Sequence, residues 1–289
     1  MSKWTTADMP DMTGRTVVIT GATSGIGAVA AREFARAGAH TVLAVRDLDK
    51  GAAVAAQIDG DVAVEHLDVS ELASTRAFGE RWNRPLDILV NNAGVMDIPL
   101  QRTADGIDLQ TATNAIGPFA LTNALLPRIT DRVVWVTSQL HRMAKAHPDD
   151  LGWRRRAYQP MAAYQESKLD VVLFSLELQR RLASVGSPVR SVLAHPGIAR
   201  TALAAHSSSN AINRIPLLLN DAERGALSTL FAATQDLPGN AYVGPRGPGS
   251  IKGHPKIRKP GAVARDADLA RRVWNAAERL TAHPATAQG

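Results

Sequence analysis

Tyr164 and Lys168 stand four residues apart in the stretch AAYQESKLDVVLF, residues 162–174. On a helix that spacing makes their side chains neighbours, one turn apart. A free phenol has a pKa near 10 and is a poor proton carrier at neutral pH. Bringing it to about 7 takes roughly 4 kcal/mol of preferential stabilisation of the phenolate, which a nearby ammonium can help supply. The pair therefore fits general acid–base work, typically about 10²–10⁴-fold in rate. Tyr-x-x-x-Lys is also short enough to recur by chance, and a Tyr at a core edge beside a solvated Lys explains it equally well. The helix is the firmer inference. Leu169, Val172, Leu173 and Leu176 fall at i, i+3, i+4 and i+7 and form one inward stripe.

A second chemical feature lies in TNAIGPFA, where Asn114 precedes Pro118 by four residues. Proline has no N–H, so the carbonyl of residue 114 loses its usual helical donor. A buried free carbonyl needs another partner, and water is the natural one.

The elements that must position these groups follow from an alternation of short β-branched runs and helical stretches. The strands predicted are 16–20, 40–45, 62–67, 86–90, 132–137 and 189–194. Helical patterns cover about 28–37, 49–58, 107–128, the Tyr/Lys helix and 266–280. Such alternation implies crossovers, and so a doubly wound parallel sheet with helices on both faces, an α/β fold. One domain accounts for all 289 residues. Residues 1–14 read as an N-terminal extension and 198–221 as a substrate lid, its apolar wall carrying Ile215 and Leu217 to Leu219. Residues 244–289 read as a C-terminal loop and helix, with 244–261 a Pro/Gly/Lys-rich surface run.

In such a sheet, ligands bind beyond the carboxyl ends of the strands. After the first strand comes TGATSGIG, residues 20–27. Gly21 allows the turn, Gly25 lets backbone approach a phosphate, and Gly27 lets the helix pack close. Ser24 and Ile26 complete that turn, whose helix N-terminus offers free N–H groups to a pyrophosphate. At the end of the second strand, an acidic residue holds the ribose hydroxyl of NAD, and an Arg accommodates the 2′-phosphate of NADP. Arg46 occupies that edge, followed by Asp47. NADP(H) is therefore expected over NAD(H), with Asp47 as the dissenting residue.

Composition narrows the remaining choices. Apolar residues make up 45% and charged residues 21%, as in an ordinary soluble globule. There is no cysteine, so disulfides and thiolate chemistry are excluded. The N-terminal residues lack the apolar core of a secretory signal, and no run approaches the 18 apolar residues of a membrane span. A cytoplasmic protein without a membrane anchor is expected. The net charge of +6 concentrates in Trp153-Arg154-Arg155-Arg156 and between Arg246 and Lys259. No nucleic-acid motif accompanies these clusters, so they read as solvated loops and no nucleic-acid partner is expected. His141 and His195 lie near the motifs without metal-ligand spacing, so no metal is expected and both read as local structure.

Taken together, several motifs become specific. LDVS (67–70) follows the third strand, NNAG (91–94) the fourth, Ser138 the fifth, and PGIART (196–201) the sixth, with YQESK between. This set resembles the short-chain dehydrogenase/reductase family over Arg15 to Tyr242. The wide gap from Ser138 to Tyr164, the DDLGW insertion within it and SKLDVVLFSLELQRRL resemble its retinol-dehydrogenase-like branch. The resemblance implies a Rossmann-like fold with Ser138, Tyr164, Lys168 and Asn114 as catalytic residues. It also implies that Asp68 and Val69 hold the adenine and that Asn91, Ala93 and Gly94 lie along the adenosine ribose. Pro196, Gly197, Ile198 and Thr201 would close the nicotinamide end. Tyr164 would donate a proton while Ser138 stabilises the carbonyl oxygen, and Lys168 would bind the nicotinamide ribose. The Asn114 carbonyl would hold a water that relays protons to Lys168. A small, apolar carbonyl or alcohol is the expected substrate. Reduction of an activated C=C bond and a non-catalytic dinucleotide sensor are the alternatives. Relatives usually pair through the helices bearing Asn114 and Tyr164, so a homo-oligomer is expected.

Overall fold

The computed structural model describes residues 3–197 and 221–282. An eight-stranded sheet runs in the order β3-β2-β1-β4-β5-β6-β7-β8. Its strands are β1 Thr16–Thr20, β2 His40–Val45, β3 Val62–His66, β4 Leu86–Asn91, β5 Ile129–Val136, β6 Arg190–Ala194, β7 Tyr242–Pro245 and β8 Pro255–Arg258. The first seven are parallel, and β8 closes the edge antiparallel to β7. Strand order reverses between β1 and β4, the switch at which such sheets open a crevice.

Side chains alternate along each strand, so the sheet feeds two cores. Val18, Leu89, Val133, Trp135 and Leu193 face one side with α3 (Leu72–Arg81), α5 (Gly117–Leu125), α6 (Pro160–Ser184) and α8 (Ala267–Ala282). Val17, Ile19, Leu43, Val90 and Val134 face the other, with α1 (Gly25–Arg36), α2 (Leu48–Ala55) and α7 (Ala222–Thr234). The N-terminal extension is docked: Trp4 meets Phe231 of α7 edge-on, with ring centres 5.3 Å apart.

Two sequence expectations need correction, and a third holds only in part. The stretch 107–128 is not one helix. It breaks into α4 (Leu109–Thr111), a π-helical turn Ala112–Ile116 and then α5, with Pro118 in the first turn of α5. Residues 244–261 are not simply a surface run, because β7 and β8 form a sheet edge there. In the basic cluster Arg154 and Arg155 are exposed, as expected of a solvated loop, whereas Arg156 is half-buried, pairs with Glu166 and Asp150 and stacks 4.1 Å over Trp153. The C-terminal helix α8 packs on α6 and reaches α5, with Trp274 against Phe119 and Phe174. Among the described residues, no helix is long and apolar enough to cross a membrane.

Candidate active site

A cavity of about 730 Å³ lies across the carboxyl ends of the strands. One end is the turn after β1. Gly21 adopts φ +67°, and a Cβ there would come within 2.8 Å of Ala93 Cα, so the backbones of the β1 and β4 loops touch. Ser24 caps α1 without spending its side chain on the helix, and it lines the cavity together with Gly25, Ile26 and Gly27. Arg46 projects at the rim, 75% exposed and 4.0 Å from Asp68. Asp68 is held by Ser70, whose N–H and hydroxyl donate to one carboxylate oxygen at 2.9 and 2.6 Å. Val69 lines the cavity beside it.

Asp47 also lines the cavity, with its carboxylate engaged by Lys50. One carboxylate oxygen accepts the Lys50 N–H that caps α2, and the other pairs with the Lys50 ammonium at 2.8 Å. Lys50 also lines the cavity, a second basic residue one turn into α2 that the glycine turn itself does not supply.

The Asn91 side chain stands back from the cavity. It is buried, and its amide donates to Thr122 Oγ1 at 2.9 Å, away from the cavity wall formed by Asn92, Ala93 and Gly94. Asn92 does the work at this point: its amide donates to the carbonyls of Thr20 and Gly21 at 2.9 and 3.2 Å. Thr20 Oγ1 in turn accepts the N–H groups of Asn92 and Ala93, both at 3.0 Å. Asn92 belongs to the expected NNAG stretch (91–94), whereas Thr20 escaped sequence reasoning.

At the other end, Tyr164 and Lys168 are both buried, 5% and 4% exposed. They share a face of α6, and the Lys168 ammonium lies 5.9 Å from the Tyr164 ring centre. That ammonium donates to the Val136 carbonyl at 3.2 Å, which ties α6 to the end of β5. Gly94 makes room: a Cβ there would stand 3.1 Å from Asn114 Oδ1 and 3.3 Å from Lys168 Nζ. Asn114 sits in the π turn. Its Oδ1 accepts the Val95 N–H at 2.8 Å, and its amide donates to Val95 O and Ser167 Oγ, each at 2.9 Å. A π turn of this kind often marks a functional position, and here it aims one amide at two other elements.

Burial pushes the Tyr164 phenol up to about 12, while its hydrogen bond with Ser138 pulls the other way. Burial also pushes the Lys168 ammonium down to about 8. The site thus holds a neutral phenol beside a weakened cation.

Pro196 and Gly197 line the cavity after β6, whereas Ile198, Thr201 and the expected lid fall outside the described residues. Gly249, Ser250 and Ile251 enter the wall from the turn between β7 and β8. Sequence reasoning missed them because a Pro/Gly-rich run carries no period. Among the described residues, no cluster of His, Asp and Glu could hold a metal.

A family model for the short chain dehydrogenases matches residues 15–211. The chain belongs to the short-chain dehydrogenase family. Within this family it falls in the retinol-dehydrogenase-like branch. It is 38% identical to human retinol dehydrogenase 13 over 92% of its own length and 84% of that protein. To mouse polyprenol dehydrogenase it is 37% identical, with 94% and 85% covered. A crystal structure of an uncharacterised protein from Mycobacterium paratuberculosis superposes with a TM-score of 0.87 at 46% identity, covering 97% and 98% of the two chains. Family members are oxidoreductases that use NAD(P).

Proposed function

We propose that this protein is an NADP(H)-dependent oxidoreductase interconverting a carbonyl and an alcohol on an apolar substrate, with Tyr164 as general acid and base. The observation that carries the reading is the shared cavity. A glycine turn fit for a pyrophosphate lies at one end, and a buried Tyr–Lys pair at the other.

The residues fit a dinucleotide. The bare backbone of Gly21 and the unspent N-terminus of α1 suit the pyrophosphate. Arg46 and Lys50 suit a 2′-phosphate, and the double engagement of Asp47 removes the acidic group that would favour an unphosphorylated ribose. When bound, the nicotinamide supplies or removes a hydride. The chain's own groups handle the proton. Burial keeps Tyr164 protonated at neutral pH, and its work as an acid depends on the opposing pull of Ser138 and of a charged Lys168 on the phenol. Ser138 offers that oxygen a second hydrogen bond as charge develops. Lys168, while charged, stabilises the phenolate that remains.

For the substrate, retinol and polyprenol in the relatives' names are both long isoprenoid alcohols. Val95, Met96, Leu109, Leu140 and Ile251 give this cavity apolar walls suited to a similar chain. The test is NADPH oxidation over a panel of aliphatic and isoprenoid aldehydes, with Tyr164→Phe as control. Turnover should fall about 10³-fold in the variant, with NADPH affinity unchanged. A variant that keeps a tenth or more of wild-type turnover would sink the assignment.

A further inference from the structure

Two buried histidines flank the catalytic end, His195 in the cavity wall and His141 behind it, and each spends both ring nitrogens on backbone. His141 Nδ1 lies 2.6 Å from the Ser138 carbonyl, and its Nε2 accepts the Gly261 N–H at 2.9 Å. His195 Nε2 lies 3.0 Å from the Ser250 carbonyl, and its Nδ1 accepts the Gly197 N–H at 3.3 Å. A carbonyl only accepts and an amide N–H only donates, so each ring must be neutral with its one proton on the carbonyl side. The tautomers are opposite: Nδ1–H in His141 and Nε2–H in His195.

The four backbone partners form a pattern. Ser138 and Gly197 belong to the loops after β5 and β6 that flank the catalytic end of the cavity. Gly261 and Ser250 belong to the unit built around β7 and β8. The ring of Tyr242, on β7, lies between the two histidines, 5.7 Å from His141 edge-on and 6.3 Å from His195 stacked. Ser250 is itself set firmly. It holds φ +56°, rare for a residue with a side chain, and its Oγ accepts two bonds from Arg258 at 2.9 and 2.6 Å.

We propose that His141 and His195 are positioning residues, neutral two-ended braces through which the β7–β8 unit sets the two walls of the catalytic end, Ser138 on one side and Pro196–Gly197 on the other. The inference rests on the functional reading above for what those walls do, although the braces themselves are independent of it. Protonating either ring would turn its accepting nitrogen into a donor facing an N–H and break that brace. The surroundings resist this. His195 faces His141 and Arg142 from the turn after β5 and Arg258 from β8, all of them basic; His141 faces Arg142. Burial is the largest influence on both rings, holding His195 down to about 4 and His141 below its ordinary value.

The experiment has two readouts on the whole protein. Histidine ¹⁵N spectra report ring tautomers without turnover, assigned by His141→Asn and His195→Asn. The expected result at pH 7 is Nδ1–H for His141 and Nε2–H for His195, with the His195 ring still neutral at pH 5.5 and the His141 ring titrating below its ordinary midpoint. A ring of the opposite tautomer, or one titrating at the ordinary midpoint of about 6.5, overturns the proposal. The second readout uses His195→Gln, which keeps a donor where Nε2 stood but loses the acceptor for Gly197, and His195→Asn, which loses the donor to Ser250. Each variant cuts one end of the brace, so both should lose about 10-fold or more in kcat with KM and NADPH affinity little changed. Wild-type kcat in either variant, with only the melting temperature lowered, makes the ring merely structural and overturns the proposal. Intact turnover in Tyr164→Phe would fail the functional reading and leave the tautomers to judge the braces.

Discussion

The two ends of the cavity are built on opposite principles. The phosphate end comes from short contiguous stretches and stays open, with Arg46 and Lys50 both 75% exposed. The catalytic end gathers Gly94, Asn114, Ser138, Tyr164, Lys168 and Gly197 from across the chain and buries its titrating groups. Charge at an exposed end is screened, so each residue there contributes little and can be exchanged cheaply. At the buried end a charge has few partners and no water, so each substitution moves both chemistry and stability.

Lys168→Met should show the largest effect and the sharpest contrast between the two ends. Turnover should fall about 10²–10³-fold, while the protein becomes more stable. The folded ammonium is held at about 8, below its ordinary 10.5. The unfolded chain therefore binds the proton more tightly, and burial of this charge costs stability below pH 8. That cost fades as pH rises from 8 to 10.5. Removing the amine abolishes it, less the hydrogen bond lost to Val136, for a net gain of ~1–3 kcal/mol. A thermal melt at pH 7 checks the sign, and a lower melting temperature contradicts it. In the wild type the same ionisation should appear in kcat/KM for reduction, flat below pH 8 and declining above it as Lys168 loses its charge. A profile flat to pH 10 would exclude that role.

Gly117→Ala probes a place where the two ends are closely joined. A Cβ at Gly117 would lie 1.7 Å from the Val69 carbonyl, so either the turn bearing Asn114 or the loop bearing Asp68 must move. Overpacking of this kind costs about 1–3 kcal/mol. NADPH affinity and turnover should fall together, since one displacement disturbs both walls. A loss of stability with both constants intact would mean that the ends are independent.

The difference between the ends also explains what the sequence could disclose. The strands β1 and β2 are legible to the residue, because a β-branched run buried on both faces has no polar interruption and stops at Gly or Arg. The glycine turn and the Tyr/Lys spacing are legible for the same reason, being local. Asn92 against Asn91 is not, since two identical side chains differ only in which face of the strand end they leave from. The π turn is hidden too: Pro118 announces a break but not that the ladder widens before it. The contribution of Gly249 to Ile251 depends on pairing between β7 and β8 with no periodic signal, and the histidine braces join residues 120 and 55 positions apart.

At the exposed end the expected effect is smallest and the most specific. Arg46→Ala should lower the preference for NADPH over NADH about 10-fold, because a guanidinium offers a phosphate two parallel donors. Lys50→Ala should lower it by only ~3–5-fold, since the ammonium is a solvated point charge already shared with Asp47. Lys50→Ala has a second consequence that Arg46→Ala lacks. It frees one oxygen of Asp47, which stands next to the ribose edge and is lowered chiefly by its bond to Lys50. NADH affinity should therefore rise in Lys50→Ala and stay constant in Arg46→Ala. Titration of both variants with both cofactors at two ionic strengths separates these effects, because the phosphate contribution shrinks with salt while the Asp47 hydrogen bond does not. An Arg46→Ala protein with unaltered preference would show that the rim does not read the 2′-phosphate.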